Sequence, residues 1–259
     1  MKKLLLSILV LLLSANISFA KSIKFVQISD VLYGQEDTKI YLDKAIKDIN
    51  QMKDVSFVVF TGDNLSSAKE ENLKQFTSHI KKLNKPFYVV TGDKDVSKSK
   101  RLPKELYAQK LHKFLGRKSP KELNYTFTKD NVLFIVADGS KDFITMPNGY
   151  FPAKILNWIE DQIKANPNKK VVVLQHFPLA NKTSNEFLYT ANAVEYIKML
   201  NKYNNVISVV SGHFNINDEV TYNGIYYIVT PSLNKNCYKI IEIDQDNGYQ
   251  IFTSLVEMD

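Results

Sequence analysis

Five short apolar runs in the 259-residue chain each end on a side chain that can bind a metal ion. Phe25–Ser29 leads to Asp30, Phe57–Gly62 to Asp63, and Phe87–Gly92 to Asp93, which is followed by Lys94 and Asp95. Val171–Gln175 leads to His176 and Ile207–Gly212 to His213. Open α/β sheets bind ligands in the crevice outside the carboxyl ends of their strands, so three carboxylates and two imidazoles are expected to converge there. Taken singly, an aspartate after a strand is ordinarily a turn former or helix cap, and a histidine there an ordinary surface or core group. Five at one topological position need a common cause. Carboxylates at close quarters require a cation or protons, and two carboxylates with two imidazoles suit Zn²⁺, Mn²⁺ or Fe²⁺. A glycine precedes Asp63, Asp93 and His213, and is read as the tight turn that aims each side chain back into the crevice. The other two histidines, His79 and His112, fall inside helical patterns on polar or mixed faces and are read as ordinary.

The elements that must position these groups alternate. Strand-like runs at Ile23–Ile28, Val55–Phe60, Pro86–Val90, Val132–Val136, Val171–Leu174, Val206–Val210 and Ile225–Val229 are rich in Val, Ile and Phe, as strands buried on both faces are. Between them lie helical spacings: Tyr41, Leu42, Ala45, Ile46 and Ile49; Leu73, Phe76, Ile80 and Leu83; Ile155, Leu156, Ile159 and Ile163; and Val194, Ile197 and Leu200 within Asn192–Tyr203. This alternation predicts an α/β protein with largely parallel central strands. The tail predicts an antiparallel hairpin, Cys237–Ile243 and Tyr249–Val256, turning at Asn247-Gly248. With no linker or repeat between them, residues 22–259 read as one domain.

Composition removes other classes. Hydrophobic residues at 44% and charged residues at 24% are globular values that argue against disorder. A lone cysteine, Cys237, excludes a disulfide framework and any Cys-rich zinc or iron–sulfur site. Four histidines in the whole chain oblige a metal site to lean on carboxylates. The net charge of +7 needs correction before it says anything of partners. Lys2 and Lys3 precede an apolar stretch, Leu4–Leu13, whose one polar member is Ser7, and Ser18-Phe19-Ala20 follows. Residues 1–20 therefore read as a signal peptide; the stretch is short for a membrane span of ~30 Å, and no cysteine follows it to carry a lipid. The chain is expected to be exported, periplasmic or secreted, without a stable membrane anchor after cleavage. The first twenty residues hold two lysines and no acid, which leaves +5 on the remainder. Its lysines are spread along helical patterns rather than clustered with aromatics, so nucleic-acid binding is not inferred.

The order Asp30, Gly62-Asp63-Asn64, Gly92-Asp93-Lys94-Asp95, Gln175-His176-Phe177-Pro178 and Gly212-His213-Phe214-Asn215 resembles the signature of the calcineurin-like metallophosphoesterases. Ile155–Ile163 ahead of the His176 strand and Thr230-Pro-Ser-Leu after the His213 strand are similar to the cyclic-nucleotide phosphodiesterase and purple acid phosphatase-like branches. The resemblance implies a four-layer α/β/β/α sandwich of two mixed β-sheets flanked by helices. It also implies hydrolysis of a phosphoric ester by in-line attack of a metal-activated water, with one or two divalent ions (Mn, Zn or Fe) as cofactor. A phosphorylated small molecule is the implied substrate or ligand.

In the family one ion is held by an Asp, a His two residues on, a shared Asp and the last His; the matching positions are Asp30, Leu32, Asp63 and Asn215. Leu32 has no donor atom, and Asn215 offers a neutral amide oxygen. The second ion's positions are Asp63, Asp93, His176 and His213, all able to ligate, with Asp93 adding a charge where the family has Asn. The first site is thus expected to be weakened or lost and the second kept. Lys94 and Asp95 stand where the family places its catalytic His-Asp pair. A lysine of ordinary pKa, about 10.4, is poorly matched to proton donation at neutral pH. Asp30, Asp63 and Asp93 sum to −3 and one divalent ion leaves −1, which the Lys94 ammonium could neutralise; it could also clamp a substrate phosphate. Two functions follow: a phosphodiesterase or phosphatase with one strong metal site, or a catalytically impaired relative that binds a phosphorylated ligand. The loops 145–151 and 182–190 are expected to flank the crevice, with Tyr150, Phe151, Phe187 and Tyr189 either stacking on a base or sugar or packing locally.

Overall fold

The computed structural model describes residues 22–116, 119–143, 147–183 and 185–259. The expected signal peptide over residues 1–20 and Thr145 of the first loop lie outside the described residues. Among the described residues no helix is long and apolar enough to cross a membrane.

The chain runs β1 (Ser22–Ile28), α1 (Thr38–Gln51), β2 (Phe57–Thr61), α2 (Glu70–Ile80), β3 (Phe87–Val90), α3 (Lys104–Leu115), β4 (Tyr125–Lys129) and β5 (Val132–Val136). It continues through α4 (Ala153–Lys164), β6 (Lys170–Leu174), α5 (Ala193–Leu200), β7 (Val206–Ser211), β8 (Asp218–Tyr222), β9 (Ile225–Val229), β10 (Cys237–Asp244) and β11 (Gln250–Glu257). One sheet has the order β11-β10-β1-β2-β3 and the other β4-β5-β6-β7-β9-β8. The pairs β1–β2, β2–β3, β5–β6, β6–β7 and β7–β9 are parallel, while β1–β10, β10–β11, β4–β5 and β8–β9 are antiparallel. Both sheets are mixed: β5-β6-β7-β9 form the parallel centre of the six-stranded sheet, as the alternation predicts, whereas in the other sheet the parallel strands β1-β2-β3 lie to one side and the hairpin β10-β11 to the other.

Three apolar clusters account for the layering. Ile23, Phe25, Phe57, Val59, Phe134, Val172, Val210 and Ile228 pack between the sheets. The rings of Phe25 and Phe57 stack at 4.8 Å, and the edge of Phe134 meets Phe57 at 5.1 Å. Alternate residues of the same strands, such as Val26, Ile28, Val58 and Phe60, pack outward against α1–α3. Val171, Val173 and Tyr227 pack outward against α4 and α5. Period-two side-chain alternation thus gives each central strand two apolar faces, and the result is the α/β/β/α sandwich.

Two strands, β4 and β8, escape the sequence reading. Both are edge strands with half-exposed polar patterns, YTFTK and DEVTY, and carry no continuous apolar run. In α5 the expected apolar face holds in part: Ile197 and Leu200 pack on the core, joined by Tyr196 and Met199, while Val194 is 81% exposed. The tyrosine ring packs on Phe151 at 4.9 Å, and that larger contact sets the helix rotation.

Candidate metal centre

The ends of β2, β3, β6 and β7 deliver Asp63, Asp93, His176 and His213 to one place. One ligand atom from each lies within 4.8 Å of all the others, and Asp63, His176 and His213 are almost wholly buried. Nε2 of His176 is 3.5 Å from Oδ1 of both Asp63 and Asp93. Nδ1 of His213 is 3.3 Å from Asp93 Oδ1 and 3.0 Å from His176 Nε2.

Local contacts set these orientations. Nδ1 of His176 lies 2.8 Å from the carbonyl oxygen of Thr61; donating its proton there leaves the Nε2 lone pair facing the cluster, as in metal-binding histidines generally. A Cβ on Gly62 would lie 2.6 Å from that Nδ1, and Gly62 has φ +91, so this glycine is both the turn and the clearance for the ring. Gly212 acts differently from the expected turn. It lacks a positive φ, and a side chain there would collide with Ser29 Oγ and crowd Asp30 Oδ2; it is a point of close approach between β7 and β1. Asp30, Leu32, Asp63, His213 and Asn215 all have φ between +49 and +68, a region non-glycine residues enter rarely and which gathers at functional sites.

Do these residues fit a divalent ion? Oδ1 of Asp93 is buried and accepts no hydrogen bond in good geometry. Burial opposes the charge of Asp93, but His176 and His213, with Lys94 behind them, hold its carboxyl far below the usual carboxylate range. Burial likewise opposes a charged His176, yet Asp63, Asp93 and Asp30 raise its pKa to about 10. The carboxylates draw positive charge onto whatever stands among them. Two carboxylate oxygens and two imidazole nitrogens at this spacing are the donor set of a borderline divalent ion, and the fit is good.

The remaining expected site residues lie around this cluster, not within it. Asp30 is buried, and its Oδ2 accepts hydrogen bonds from Ser29 Oγ at 2.6 Å and from the His213 backbone N–H at 3.0 Å. Asn215 donates through Nδ2 to the His213 carbonyl, while its buried Oδ1 has no partner. Asp95 is turned toward backbone: its carboxylate accepts from Gly92 N at 2.8 Å, Leu65 N at 2.8 Å and Asn64 Nδ2 at 3.0 Å. Burial and the nearby Asp63 push Asp95 up to about 7 despite those N–H donors. It pins the Asp63 loop to the Asp93 loop. Lys94 donates its backbone N–H to Asp63 Oδ1 at 2.9 Å, and its ammonium contacts Asp63 Oδ2. Burial works against the Lys94 charge, but Asp63 and Asp93 outweigh it and hold the ammonium above its ordinary pKa of 10.5.

Beneath the centre lies a network the sequence reading missed. Gln27, fully buried in β1, donates through Nε2 to Thr61 Oγ1 at 3.0 Å and to the Ser211 carbonyl at 2.7 Å, and accepts from Thr230 Oγ1 at 2.6 Å. It joins the two sheets below Asp63 and His213. A glutamine inside the apolar run Phe25–Ile28 was the available signal. Of the loop aromatics, Phe151 is buried in the outer core and Tyr189 packs edge-on to Phe214, whereas Phe187 is 74% exposed and Tyr150 half-exposed.

Comparison with known proteins agrees with this geometry. The calcineurin-like phosphoesterase family model matches residues 23–216. A probable glycerophosphodiester phosphodiesterase, GpdQ, from Arcobacter nitrofigilis is 25% identical over 80% of this chain and 77% of its own. The 3',5'-cyclic adenosine monophosphate phosphodiesterase CpdA of Haemophilus influenzae is 21% identical over 81% and 76%. The crystal structure of a dimetal phosphatase from Danio rerio superposes with a TM-score of 0.70 at 14% identity, covering 91% of this chain and 97% of that one. With the sandwich and the strand-end donors in place, the chain belongs to the calcineurin-like phosphoesterase family.

Proposed function

We propose that the protein is an exported, metal-dependent phosphoric ester hydrolase whose substrate is a small phosphodiester or phosphomonoester. The observation that supports this most is the meeting of Asp63, Asp93, His176 and His213, one donor atom each, within 4.8 Å at the carboxyl ends of four strands. A divalent ion bound there supplies a Lewis acid for the phosphoryl oxygen and lowers the pKa of a coordinated water. The chain's own groups do the rest. His176, fixed through Thr61, and His213 would present ring nitrogens to that ion. The Lys94 side chain is 41% exposed, so its ammonium is within reach of solvent and can counter phosphoryl charge. Asp63 and Asp93 hold that lysine above its ordinary pKa, which makes it a weak proton donor at neutral pH. The phosphodiesterase names of the two relatives favour a diester. Export rests on the pattern of Lys2, Lys3, Leu4–Leu13 and Ala20.

The test is hydrolysis of bis-p-nitrophenyl and p-nitrophenyl phosphate with Mn²⁺, Zn²⁺ or Fe²⁺ added, beside His176→Ala. Turnover that needs the ion and is lost in the variant supports the hydrolase. Turnover that survives His176→Ala belongs to a contaminant and removes the support. If the ion binds and no ester is cleaved, the second reading holds, a phosphoryl-ligand-binding relative in which Leu32, Lys94 and Asn215 have replaced catalytic positions.

A further inference from the structure

We propose that the Lys94 ammonium is a resident cation of the centre, taking the place of a second metal ion, so that the folded chain binds one divalent ion and no more. The proposal rests on the metal-centre part of the reading above and is independent of turnover.

The two oxygens of Asp63 carry the argument. Oδ1 faces His176 and accepts the Lys94 backbone N–H, while Oδ2 is in contact with the Lys94 ammonium. A carboxylate able to bridge two ions thus presents one oxygen to the four-donor cluster and has the other occupied by the chain's own cation. The other groups on that side make a poor ion site. Asp30 Oδ2 already accepts from Ser29 Oγ and the His213 N–H, which leaves one oxygen of that carboxylate. Leu32 is buried and has no lone pair. Asn215 adds one neutral amide oxygen, Oδ1, buried without a partner; beside a single remaining carboxylate oxygen it makes too small a donor set to desolvate a divalent ion. Charge agrees: three buried or largely buried carboxylates, Asp30, Asp63 and Asp93, balance one divalent ion and one ammonium. A second divalent ion would bring more positive charge than these three carboxylates offset, which is costly among buried groups. A primary ammonium is suited to the task, because it is a compact point charge with three donors.

The experiment measures metal stoichiometry on the purified chain after equilibration with Mn²⁺, by elemental analysis and by electron paramagnetic resonance. A lone Mn²⁺ gives a six-line spectrum and two bridged ions give an exchange-coupled one. The variants are Leu32→His/Asn215→His with Lys94 kept, and the same pair with Lys94→Met added; circular dichroism checks that each folds. The wild type and the double variant are expected to bind one ion with a six-line spectrum, and the triple variant two with a coupled spectrum. Two ions in the wild type, two in the double variant, or one in the triple variant each overturn the proposal. Should the triple variant not fold, Lys94→Met alone decides: removing a competing positive charge at Asp63 is expected to tighten the Mn²⁺ dissociation constant by about tenfold, and an unchanged or weaker constant overturns it. A wild type that takes up no ion refutes the metal centre itself, whereas two ions refute this proposal and leave the hydrolase reading standing.

Discussion

Gln27→Leu tests whether the buried amide network holds the two sheets in the register that assembles the centre. The substitution keeps roughly the side-chain volume and removes three hydrogen bonds, to Thr61 Oγ1, the Ser211 carbonyl and Thr230 Oγ1. Two of the abandoned partners keep another contact: the Ser211 carbonyl still accepts from Thr230 N at 3.2 Å, and Thr61 Oγ1 lies 3.4 Å from the Ile28 carbonyl. The Thr230 hydroxyl is fully buried and loses its acceptor. Hydrogen bonds contribute about 1 kcal/mol each net, and a stranded buried donor costs about 1–3 kcal/mol more; a leucine in a buried position returns part of this. The expected loss is about 3–4 kcal/mol, seen as a fall in the urea midpoint at constant m or a drop in Tm of roughly 6–16 °C. Adding Thr230→Val removes the stranded hydroxyl, so the double variant should be more stable than the sum of the singles by about 1–2 kcal/mol. Mn²⁺ should bind more weakly in the single variant at unchanged stoichiometry. A loss below about 1 kcal/mol, or strict additivity with Thr230→Val, would refute the claim that this network ties the sheets.

Two further outcomes follow from particular contacts. Gly212→Ala drives a methyl into Ser29 Oγ and against Asp30 Oδ2; overpacking of this kind costs about 1–3 kcal/mol, and Mn²⁺ binding should weaken because His213 is the next residue, while a variant of wild-type stability and affinity would show that β1 and β7 can separate freely. Glu219 accepts from the fully buried Lys239 at 2.6 Å, from Tyr226 and from Thr253 at 2.7 Å. Burial opposes its charge, but these donors hold its carboxyl below the ordinary 4.5. A lowered folded pKa contributes stability above the unfolded value that disappears as pH falls through the folded one. The stability gap between wild type and Glu219→Gln should therefore narrow from pH 5 to pH 3 in urea titrations, and a constant gap would show that the pair contributes no pH dependence.

What could be read in the sequence is what repeats along a strand. A central strand buried on both faces carries an apolar run, and within three residues of each run's end stands an aspartate or a histidine, so Asp30, Asp63, Asp93, His176 and His213 stand out together. The position of Lys94 was legible through charge, since three aspartates near one ion leave a negative remainder. Edge strands β4 and β8 were not legible, because one solvated face removes the run that identifies a strand. The exact face of α5 was not either: Val194 fits helical spacing as well as Tyr196 does, and the Phe151 ring on which Tyr196 packs comes from a distant loop. The anchoring of Asp95 was not legible, because two of its three partners, the N–H groups of Gly92 and Leu65, are backbone, which no side-chain pattern reveals.

Leu32 closes the argument about how far the centre departs from a two-ion site. It lies at φ +53, where an L-residue without a locally bonding side chain is disfavoured by about 1–2 kcal/mol. Its four companions in the same region at the site are Asp30, Asp63, His213 and Asn215, all of types enriched there. Leu32 belongs to none of the three apolar clusters, although it is only 9% exposed. Its backbone is fixed instead by donating to the Asp63 carbonyl at 2.9 Å and accepting from Gln35 N at 3.1 Å. The chain there is therefore shaped by its hydrogen bonds to the Asp63 loop, and the leucine side chain contributes burial without directing the fold. Burying a leucine contributes about 1.5–3 kcal/mol, and a histidine that suits the left-handed region recovers about 1 kcal/mol of that. Leu32→His is accordingly expected to cost only about 1 kcal/mol, far less than a leucine-to-polar change within a packed core, and to leave the Mn²⁺ stoichiometry at one while Lys94 remains. A loss above about 3 kcal/mol would mean that Leu32 packs as a core residue, that the backbone follows the side chain, and that the second metal position cannot be rebuilt by restoring ligands alone.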